Sequence, residues 1–283
     1  MKFLFQLKHY SNIEKAKRYF KKSISIHTKS QTDSDKLGYL NAIGELGIIE
    51  KDLGNYKTSI KLLIESLDIS KKLKLISHTA GILSNLGNAT FLNGDYSKGI
   101  KLQNQSLKIY KKLGNKIQIS RITNNLGYMY LLSGNYFKAK EYFEDGLSLS
   151  IEINDKFTEA MTSINLGSLL KLSGEYLKSY PYFKKSLSIM KNIGFKRGIA
   201  MSIGNISEIN FELENYKTST LLISFNESLK KSMPKNDLLL IKKHIFRLRK
   251  KLSIEDFSKY WEEGRAMTFE QAVNLALSMS DEY

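Results

Sequence analysis

The feature that most constrains this chain is a self-similarity with a period of 40 residues. A shift of the sequence by that period aligns five tyrosines with one another, together with columns of leucine and glycine. A fixed period of about 20–50 residues is typical of repeat proteins, in which each repeat contacts only its neighbours. The chain is therefore not expected to have one central core. The columns are Tyr56, Tyr96, Tyr136, Tyr176 and Tyr216; Leu46, Leu86, Leu126, Leu166 and Ile206; Gly47, Gly87, Gly127, Gly167 and Ser207; and Gly54, Gly94, Gly134, Gly174 and Glu214.

The spacing within one copy predicts two helices joined by a tight turn. Between Leu126 and Gly134 there is room for about two turns of helix. A glycine at position 134 permits the left-handed conformation that ends a helix, and Asn135 can cap the next one. Two columns of small residues then follow seven positions apart, which places them on one face of the second helix. They are Ser59, Gly99, Ala139, Ser179 and Ser219, and Ser66, Ser106, Gly146, Ser186 and Asn226.

This order of signals resembles the tetratricopeptide (TPR) repeat, over about residues 11–232. The matching positions are Leu126-Gly127 in helix A, Gly134-Asn135-Tyr136 at the turn, and Ala139 and Phe143 in helix B. Repeats of this length are similar to those of kinesin light chain and of bacterial STAND-type signalling ATPases. The resemblance implies an all-α fold, a right-handed superhelical solenoid of TPR helix-turn-helix hairpins.

The repeats divide the chain into three predicted parts: a partial repeat over 1–34, five units over 35–233 and capping helices over 234–283. The partial repeat consists of a helix B over 12–29 after a short segment, with Ser11-Asn12 as its turn. That short segment starts with Phe3, Leu4 and Phe5, which favours a chain separated from a longer protein over a polar cap. The predicted A and B helices are 36–53 and 56–73, 76–93 and 96–113, 116–133 and 136–153, 156–173 and 176–193, and 196–213 and 216–232.

The C-terminal part begins with a basic helix over 235–251, predicted to cap the array with its charged face in water. Thr268 and Gln271 predict a capping box that opens a last helix to about Met279. The intervening residues resemble the Trp-x-x-Gly-Arg-x-Met/Leu-Thr-x-Glu-x-Ala motif that closes the repeats of many STAND-type ATPases and cyclase-linked regulators. In those families an effector domain precedes the repeats. The matching residues are Trp261, Gly264, Arg265, Met267, Thr268, Glu270 and Ala272.

Composition limits the environment and the partners. The chain has 44 Lys and Arg against 28 Asp and Glu, a net charge of +16 that permits attraction to acidic partners or nucleic acid. It has no cysteine, which excludes disulfides and thiolate metal sites and fits a reducing compartment. No apolar run is long enough for a signal peptide or for the ~18 residues of a membrane span. A cytoplasmic protein without a membrane partner is expected.

Catalytic motifs are missing from the sequence. Neither a phosphate-binding Gly-x-x-x-x-Gly-Lys-Ser/Thr loop nor a dinucleotide-binding Gly-x-Gly-x-x-Gly motif occurs. The four histidines, at positions 9, 27, 78 and 244, do not have metal-ligand spacing. We therefore expect no enzyme activity, no cofactor and no metal.

One polar column points to binding. Asparagine precedes the Leu-Gly position in four copies, the last of which has Ile206-Ser207 there, and Glu45 takes its place in the first. An asparagine amide both donates and accepts, so a ladder of them can hold an extended peptide backbone whatever its side chains. The TPR resemblance places this column on the concave groove, where Arg121 with three asparagines can hold a carboxylate. The alternative is that the asparagines only link adjacent repeats. The predicted groove residues are Asn85, Asn125, Asn165, Asn205, Asn88, Arg121, Asn124 and Tyr128, with Ser84, Ser168 and Lys171 beside them and an apolar part at Met161, Ile164, Met201 and Phe211.

The predicted function is that of a scaffold or sensor whose concave groove binds a protein or peptide segment, within a signalling or regulatory system and with a possible upstream effector domain. Two alternatives stay open. One is a peptide-pheromone-type receptor. The other is an RNA-binding helical repeat protein, which would use basic residues at the chain ends, although no per-repeat pattern of stacking aromatic residues supports it. Those basic residues are Lys15, Lys17, Arg18, Lys21 and Lys22, and the helix around Arg247.

Overall fold

The computed structural model describes residues 10–27, 32–229 and 235–278. These residues form α-helices and no β-strand, so the predicted all-α class is confirmed. None of the described helices is both long enough and apolar enough to cross a membrane. The helices are α1 Tyr10–His27, α2 Asp33–Asp52, α3 Tyr56–Lys72, α4 Ile76–Leu92, α5 Tyr96–Lys112, α6 Lys116–Leu132, α7 Tyr136–Glu152, α8 Lys156–Leu172, α9 Tyr176–Ile193, α10 Lys196–Glu212, α11 Tyr216–Ser228, α12 Lys235–Arg249, α13 Ile254–Ala266 and α14 Phe269–Leu277.

The chain forms two compact units, with the boundary inside α7. Unit 1 is Met1–Tyr142 and unit 2 is Phe143–Tyr283. In unit 1, α2 packs on α3 and α4 on α5 as hairpins, while α3 packs on α4 and α5 on α6 to stack one hairpin on the next. In unit 2, α8 pairs with α9 and α10 with α11 in the same way, and α12, α13 and α14 all pack on α11.

Residues with left-handed backbone conformation explain why the period is 40. Two helices of 17 residues, such as α4 and α5, and two turns of three residues make up one copy. Each turn contains a residue with positive φ, which ends one helix and redirects the chain into the next. Most are glycine, but Glu214 has φ 63°. The full set is Gly54, Lys74, Gly94, Gly114, Gly134, Asn154, Gly174, Gly194 and Glu214.

The small-residue columns lie where the two helices of a hairpin meet. A Cβ atom added to Gly99 of α5 would lie 2.6 Å from the Cβ of Phe91 in α4, so only glycine fits there. In the second column, the side chains of Ser106 and Asn226 donate hydrogen bonds to helix A carbonyls, over 2.6 Å to Ala80 O and 3.0 Å to Ala200 O. The small side chains therefore allow close packing, and their polar atoms tie helix B to helix A.

The C-terminal helices of unit 2 pack on α11, the last helix of the repeats. The helix α12 buries Ile241, His244 and Leu248. It exposes Lys242, Lys243, Arg247 and Arg249. Gly264 of α13 touches α11 so closely that an added Cβ would lie 2.5 Å from Leu221 O. In the same motif, Trp261 O accepts a hydrogen bond from Ser224 Oγ at 2.6 Å. The motif that the sequence resembles is thus the contact that holds α13 on the last repeat.

Most helix boundaries agree with prediction to within one residue. Two helices end early, α11 at Ser228 and not at residue 232, and α12 at Arg249 and not at residue 251. Three other helices also differ. Ser11 and Asn12 lie inside α1 and not in a turn, since the pair lacks the glycine of the other turns. Helix α2 begins at Asp33 because the Thr32 side chain caps it, with Asp35 N donating to its Oγ1 at 3.2 Å. The Thr268 capping box is confirmed, but α14 ends at Leu277. Residues 1–9 and Met279 lie outside the described part of the chain.

Candidate functional site

The predicted ladder positions of unit 1 lie on three helices in contact, since α4 packs against both α2 and α6. We call the surface that they share the A-helix face. Residues three or four apart share one side of a helix, so the ladder residue of each helix and its neighbours one turn away point to this face. The A-helix face consists of Glu45 and Ile48 on α2, Ser84, Asn85 and Asn88 on α4, and Arg121, Asn124, Asn125 and Tyr128 on α6.

At two positions of the asparagine ladder, the side-chain amide is available for further hydrogen bonds. Asn85 and Asn125 are half-buried, and neither side chain makes a hydrogen bond with any described residue. Buried amides in proteins are normally hydrogen-bonded, so half-buried amides with free donors and acceptors offer hydrogen-bonding capacity to solvent or to a ligand. The reading that these asparagines only link adjacent repeats has no hydrogen bond to support it at these two positions.

Asn88 is held in one orientation by a residue that the sequence analysis did not identify. Gln103, on the fully buried side of α5, donates from Nε2 to Asn88 Oδ1 at 2.6 Å and to Ser84 O at 3.0 Å. Its Oε1 accepts from Ser84 Oγ at 3.0 Å. Since the Asn88 acceptor is occupied, its NH2 group is what remains for the A-helix face. The signal was present in the sequence, because the other copies have apolar residues in this column: Leu63, Phe143, Phe183 and Ile223.

The remaining predicted residues of unit 1 already contact other groups. Arg121 and Tyr128 are exposed and Asn124 is half-buried, and each takes part in an interaction within the protein. A guanidinium has five N–H donors, so Arg121 can contact a further group while it keeps a partner within the protein. Arg121 lies one turn before Asn125 on α6 and supplies the positive charge of that part of the face.

In unit 2 the predicted asparagines interact with other residues of the protein. Asn205 accepts from Lys171 Nζ at 2.8 Å through Oδ1 and donates to Met201 O at 2.8 Å through Nδ2. Lys171 also pairs with Glu208, so it bridges α8 to α10. Asn165 is half-buried and interacts within the protein. In unit 2 the ladder therefore contributes to a hydrogen-bonded link between neighbouring A helices, which is the structural alternative.

The predicted apolar part is largely covered. Ile164 is buried in the core cluster that Met161 and Met201 flank and that includes Val273 of α14. Phe211 is buried beneath α12, with the Arg247 guanidinium 4.1 Å from its ring centroid. These residues thus pack beneath the C-terminal helices.

Unit 2 also contains a buried polar cluster around His244 of α12. Its Nε2 lies 3.0 Å from Ser207 Oγ and 3.0 Å from Ser219 Oγ. Each hydroxyl already donates its one hydrogen to a backbone carbonyl, Ser207 to Ser219 O at 2.8 Å and Ser219 to Ser207 O at 2.7 Å. Nε2 must therefore carry the proton and donate, which leaves Nδ1 bare and without a partner. Burial lowers the pKa of His244 to about 4, so the ring is neutral at neutral pH.

Other kinds of site find little support in the described residues. They contain no group of three or more His, Cys, Asp or Glu side chains able to hold a metal ion. An open depression of about 510 Å³ lies on the outer surface of α5 and not on the A-helix face, lined by Asn104, Leu107, Lys108, Lys111 and Lys112.

Comparison with known proteins identifies the repeats. Residues 78–152 match the sequence model of the tetratricopeptide repeat family. The match covers the hairpin α4–α5 and the helices α6 and α7. No curated protein sequence gave a significant match.

Solved structures give the same fold at low sequence identity. The complex of NprR with its cognate peptide NprX is 17% identical over 91% of this chain and 73% of that chain, with a TM-score of 0.67. The apo quorum sensor NprR from B. thuringiensis is 17% identical over 97% and 75%, with a TM-score of 0.64. A STAND protein with a tetratricopeptide repeat sensor from Pyrococcus horikoshii is 14% identical over 87% of this chain but 42% of that chain, with a TM-score of 0.56.

Proposed function

We propose that this chain, which has the tetratricopeptide repeat fold, binds a peptide segment in extended conformation on the A-helix face of unit 1 and serves as a sensor or scaffold in a regulatory system. The observation that carries the proposal is the pair of unpaired, half-buried amides of Asn85 and Asn125 on neighbouring helices. The similar structure of NprR was solved with a bound peptide, which is compatible with such a role.

The chemistry of the two amides fits a peptide backbone. Each amide can accept from a backbone N–H and donate to a backbone C=O. Neighbouring packed helices lie about 8–10 Å apart. At about 3.3 Å per residue, peptide groups three residues apart on an extended segment can meet Asn85 and Asn125. Backbone pairing of this kind gives affinity that does not depend on the side chains of the peptide.

An affinity selection tests the proposal. The full-length chain is incubated with a mixture of hexapeptides randomised at every position, and the retained peptides are counted by mass spectrometry. The double variant Asn85→Ala/Asn125→Ala is expected to retain at least about tenfold less, since each lost hydrogen bond costs about 1 kcal/mol. A matched control, Asn192→Ala/Asn274→Ala, removes two exposed asparagines of unit 2 and is expected to retain as much as the unaltered chain. Equal retention by the two double variants would contradict the proposal.

A second candidate function is binding of single-stranded RNA to the outer surface of unit 1. The observation in its favour is charge: unit 1 contains 24 Lys and Arg against 10 Asp and Glu, whereas unit 2 contains 20 against 18. Several exposed lysines lie at the C-terminal ends of α3 and α5, where they also compensate the helix dipole. They are Lys71, Lys72, Lys111 and Lys112.

Salt dependence separates the two functions. RNA held by lysines releases counterions, so its affinity falls by orders of magnitude between 50 and 200 mM salt, as is usual for about six or more phosphate contacts. Binding through neutral amides on the A-helix face is expected to change much less over the same range. We propose the peptide function first, because it rests on two specific half-buried amides, whereas the RNA function rests on net charge alone.

A further inference from the structure

We infer that the A-helix face of unit 1 takes a short free peptide in one direction, with its N-terminal ammonium at Glu45 and its C-terminal carboxylate at Arg121. This inference rests on the proposed function of the same face and specifies the ligand. Glu45 occupies the ladder position on α2 that Asn85 and Asn125 occupy on α4 and α6. Within unit 1 the ladder therefore begins with an acid and ends beside a guanidinium.

The described residues do not neutralise the acid at this end. Within the same half of α2, Glu50 pairs with Lys17 at 2.9 Å and Asp52 with Lys51 at 3.3 Å. Glu45 is half-buried, and no ion pair or hydrogen bond joins it to a described residue. A carboxylate in this position accepts hydrogen bonds only, and its charge favours a cationic group such as an ammonium.

The three helices have graded charge. Helix α2 contains five acidic and two basic residues, α4 contains no Asp, Glu, Lys or Arg, and α6 contains Lys116 and Arg121 and no acid. A peptide with free termini has the opposite arrangement of charges along its length. Electrostatic complementarity of this kind sets orientation and rejects the reversed binding mode.

The distance between the first and last ladder positions of unit 1 indicates the length of the ligand. Two successive helix spacings of about 8–10 Å separate the ladder positions of α2 and α6. An extended peptide of about five to seven residues covers that distance at about 3.3 Å per residue. Asn85 lies between the two charged ends, and Asn88 beside it presents the NH2 group that Gln103 leaves free, which suits a backbone carbonyl.

The test compares hexapeptide mixtures of identical randomised composition that have free termini, an acetylated N-terminus or an amidated C-terminus. The full-length chain is expected to retain free peptides about tenfold better than either blocked form, the value of one charge-assisted hydrogen bond. Glu45→Gln is expected to remove the discrimination against acetylated peptides alone, and Arg121→Gln the discrimination against amidated peptides alone. Glu141→Gln and Arg18→Gln change exposed residues elsewhere in unit 1 and are expected to leave both preferences unchanged.

Direction is tested with the selected peptides. A photoreactive phenylalanine analogue at the first position is expected to crosslink to α2, and one at the last position to α6. Reversed crosslinks, or equal retention of free and blocked peptides by a chain whose binding still needs Asn85 and Asn125, would overturn the directional inference and leave the proposed function standing. Retention that is absent, or that the Asn85→Ala/Asn125→Ala variant matches, would overturn both.

Discussion

Gln103 Nε2 donates a hydrogen bond to Asn88 Oδ1 over 2.6 Å, from the buried side of α5 to the A-helix face on α4. This bond links the core of the second full repeat to the A-helix face. A buried amide in a column that is otherwise apolar needs such partners, because an unpaired amide costs about 1–3 kcal/mol. We regard Gln103 as a residue that positions Asn88.

A double-mutant cycle tests that positioning role. Gln103→Leu restores the apolar residue that other repeats have, so we expect the free energy of unfolding to change by about 1 kcal/mol or less. Affinity for the retained hexapeptides is expected to fall several-fold, because Asn88 is no longer held. In an Asn88→Ala background, Gln103→Leu is expected to have no further effect on affinity. Additive losses in affinity would show that Gln103 acts through the general stability of the hairpin.

We expect replacement of a ladder residue by alanine to affect peptide affinity and stability differently in the two units. Asn205→Ala removes an amide that Lys171 and Met201 already satisfy, so peptide affinity is expected to change less than twofold. Unfolding free energy is expected to fall by about 1 kcal/mol, because Lys171 loses a partner. Asn85→Ala, measured by the same titration and thermal unfolding, is expected to show the opposite pattern. Equal losses of affinity in the two variants would contradict the assignment to unit 1.

The folded state is expected to lose stability in mild acid through His244. The pKa of this residue is lowered by burial from its usual value of 6.5 to about 4, so the folded state binds the proton less well than the unfolded state. Protonation of His244 therefore does not lower the free energy of unfolding above about pH 6.5, but lowers it increasingly as the pH drops towards 4. Between pH 7.5 and pH 5 the loss is about 2 kcal/mol.

The variant His244→Gln removes the titrating group but keeps a donor for Ser207 and Ser219. Thermal unfolding of this variant at the two pH values is expected to show most of that dependence gone. Burial opposes ionisation of Glu50 and Glu159, but hydrogen bonds lower the pKa of both, from Asn55 and Lys17 to Glu50 and from two lysines to Glu159. Their contribution to stability is therefore lost only below the usual glutamate range near 4.5. An unchanged acid dependence in His244→Gln would assign the effect to other groups.

Gly264 is predicted to be irreplaceable. Alanine usually stabilises a helix relative to glycine by about 1 kcal/mol. Here the added Cβ would lie 2.5 Å from Leu221 O, so we expect Gly264→Ala to lower the unfolding free energy by about 1–3 kcal/mol. Gly81→Ala is the matched control, since its Cβ would meet only the hydroxyl oxygen of Tyr110, at 3.2 Å, and no backbone atom. A stability gain at both positions would mean that α13 is not held closely on α11.

Glu214 offers a route to higher stability. Its φ of 63° costs an L-residue about 1 kcal/mol, and four other repeats have glycine at the equivalent position. Glu214→Gly is therefore expected to raise the unfolding free energy by about 0.5–1 kcal/mol. Glu263→Gly, at an exposed position inside α13, is expected to lower it by a similar amount. Denaturant unfolding of both variants measures whether the unfolding free energy rises in Glu214→Gly and falls in Glu263→Gly.

The sequence was sufficient for the fold because the repeat columns have direct steric meaning. Gly99 and the turn glycines fit positions that only small or left-handed residues can occupy. The site was less accessible to sequence reasoning, because the asparagines of one column differ in what surrounds them. Lys171 satisfies Asn205, whereas nothing in the described chain satisfies Asn85. Such differences depend on side chains from other columns, which periodicity does not reveal.

The most direct test of peptide binding at the A-helix face is to observe the side-chain amides of Asn85 and Asn125. Side-chain amide resonances of Asn85, Asn125 and Asn205 are assigned by substitution in the isotopically labelled full-length chain, and the retained hexapeptides are then added. If the peptide binds at the A-helix face of unit 1, the Asn85 and Asn125 resonances shift and their NH2 protons become protected from exchange, while the Asn205 resonances stay in place. Peptide binding with unchanged Asn85 and Asn125 resonances would contradict the A-helix face of unit 1 as the binding site.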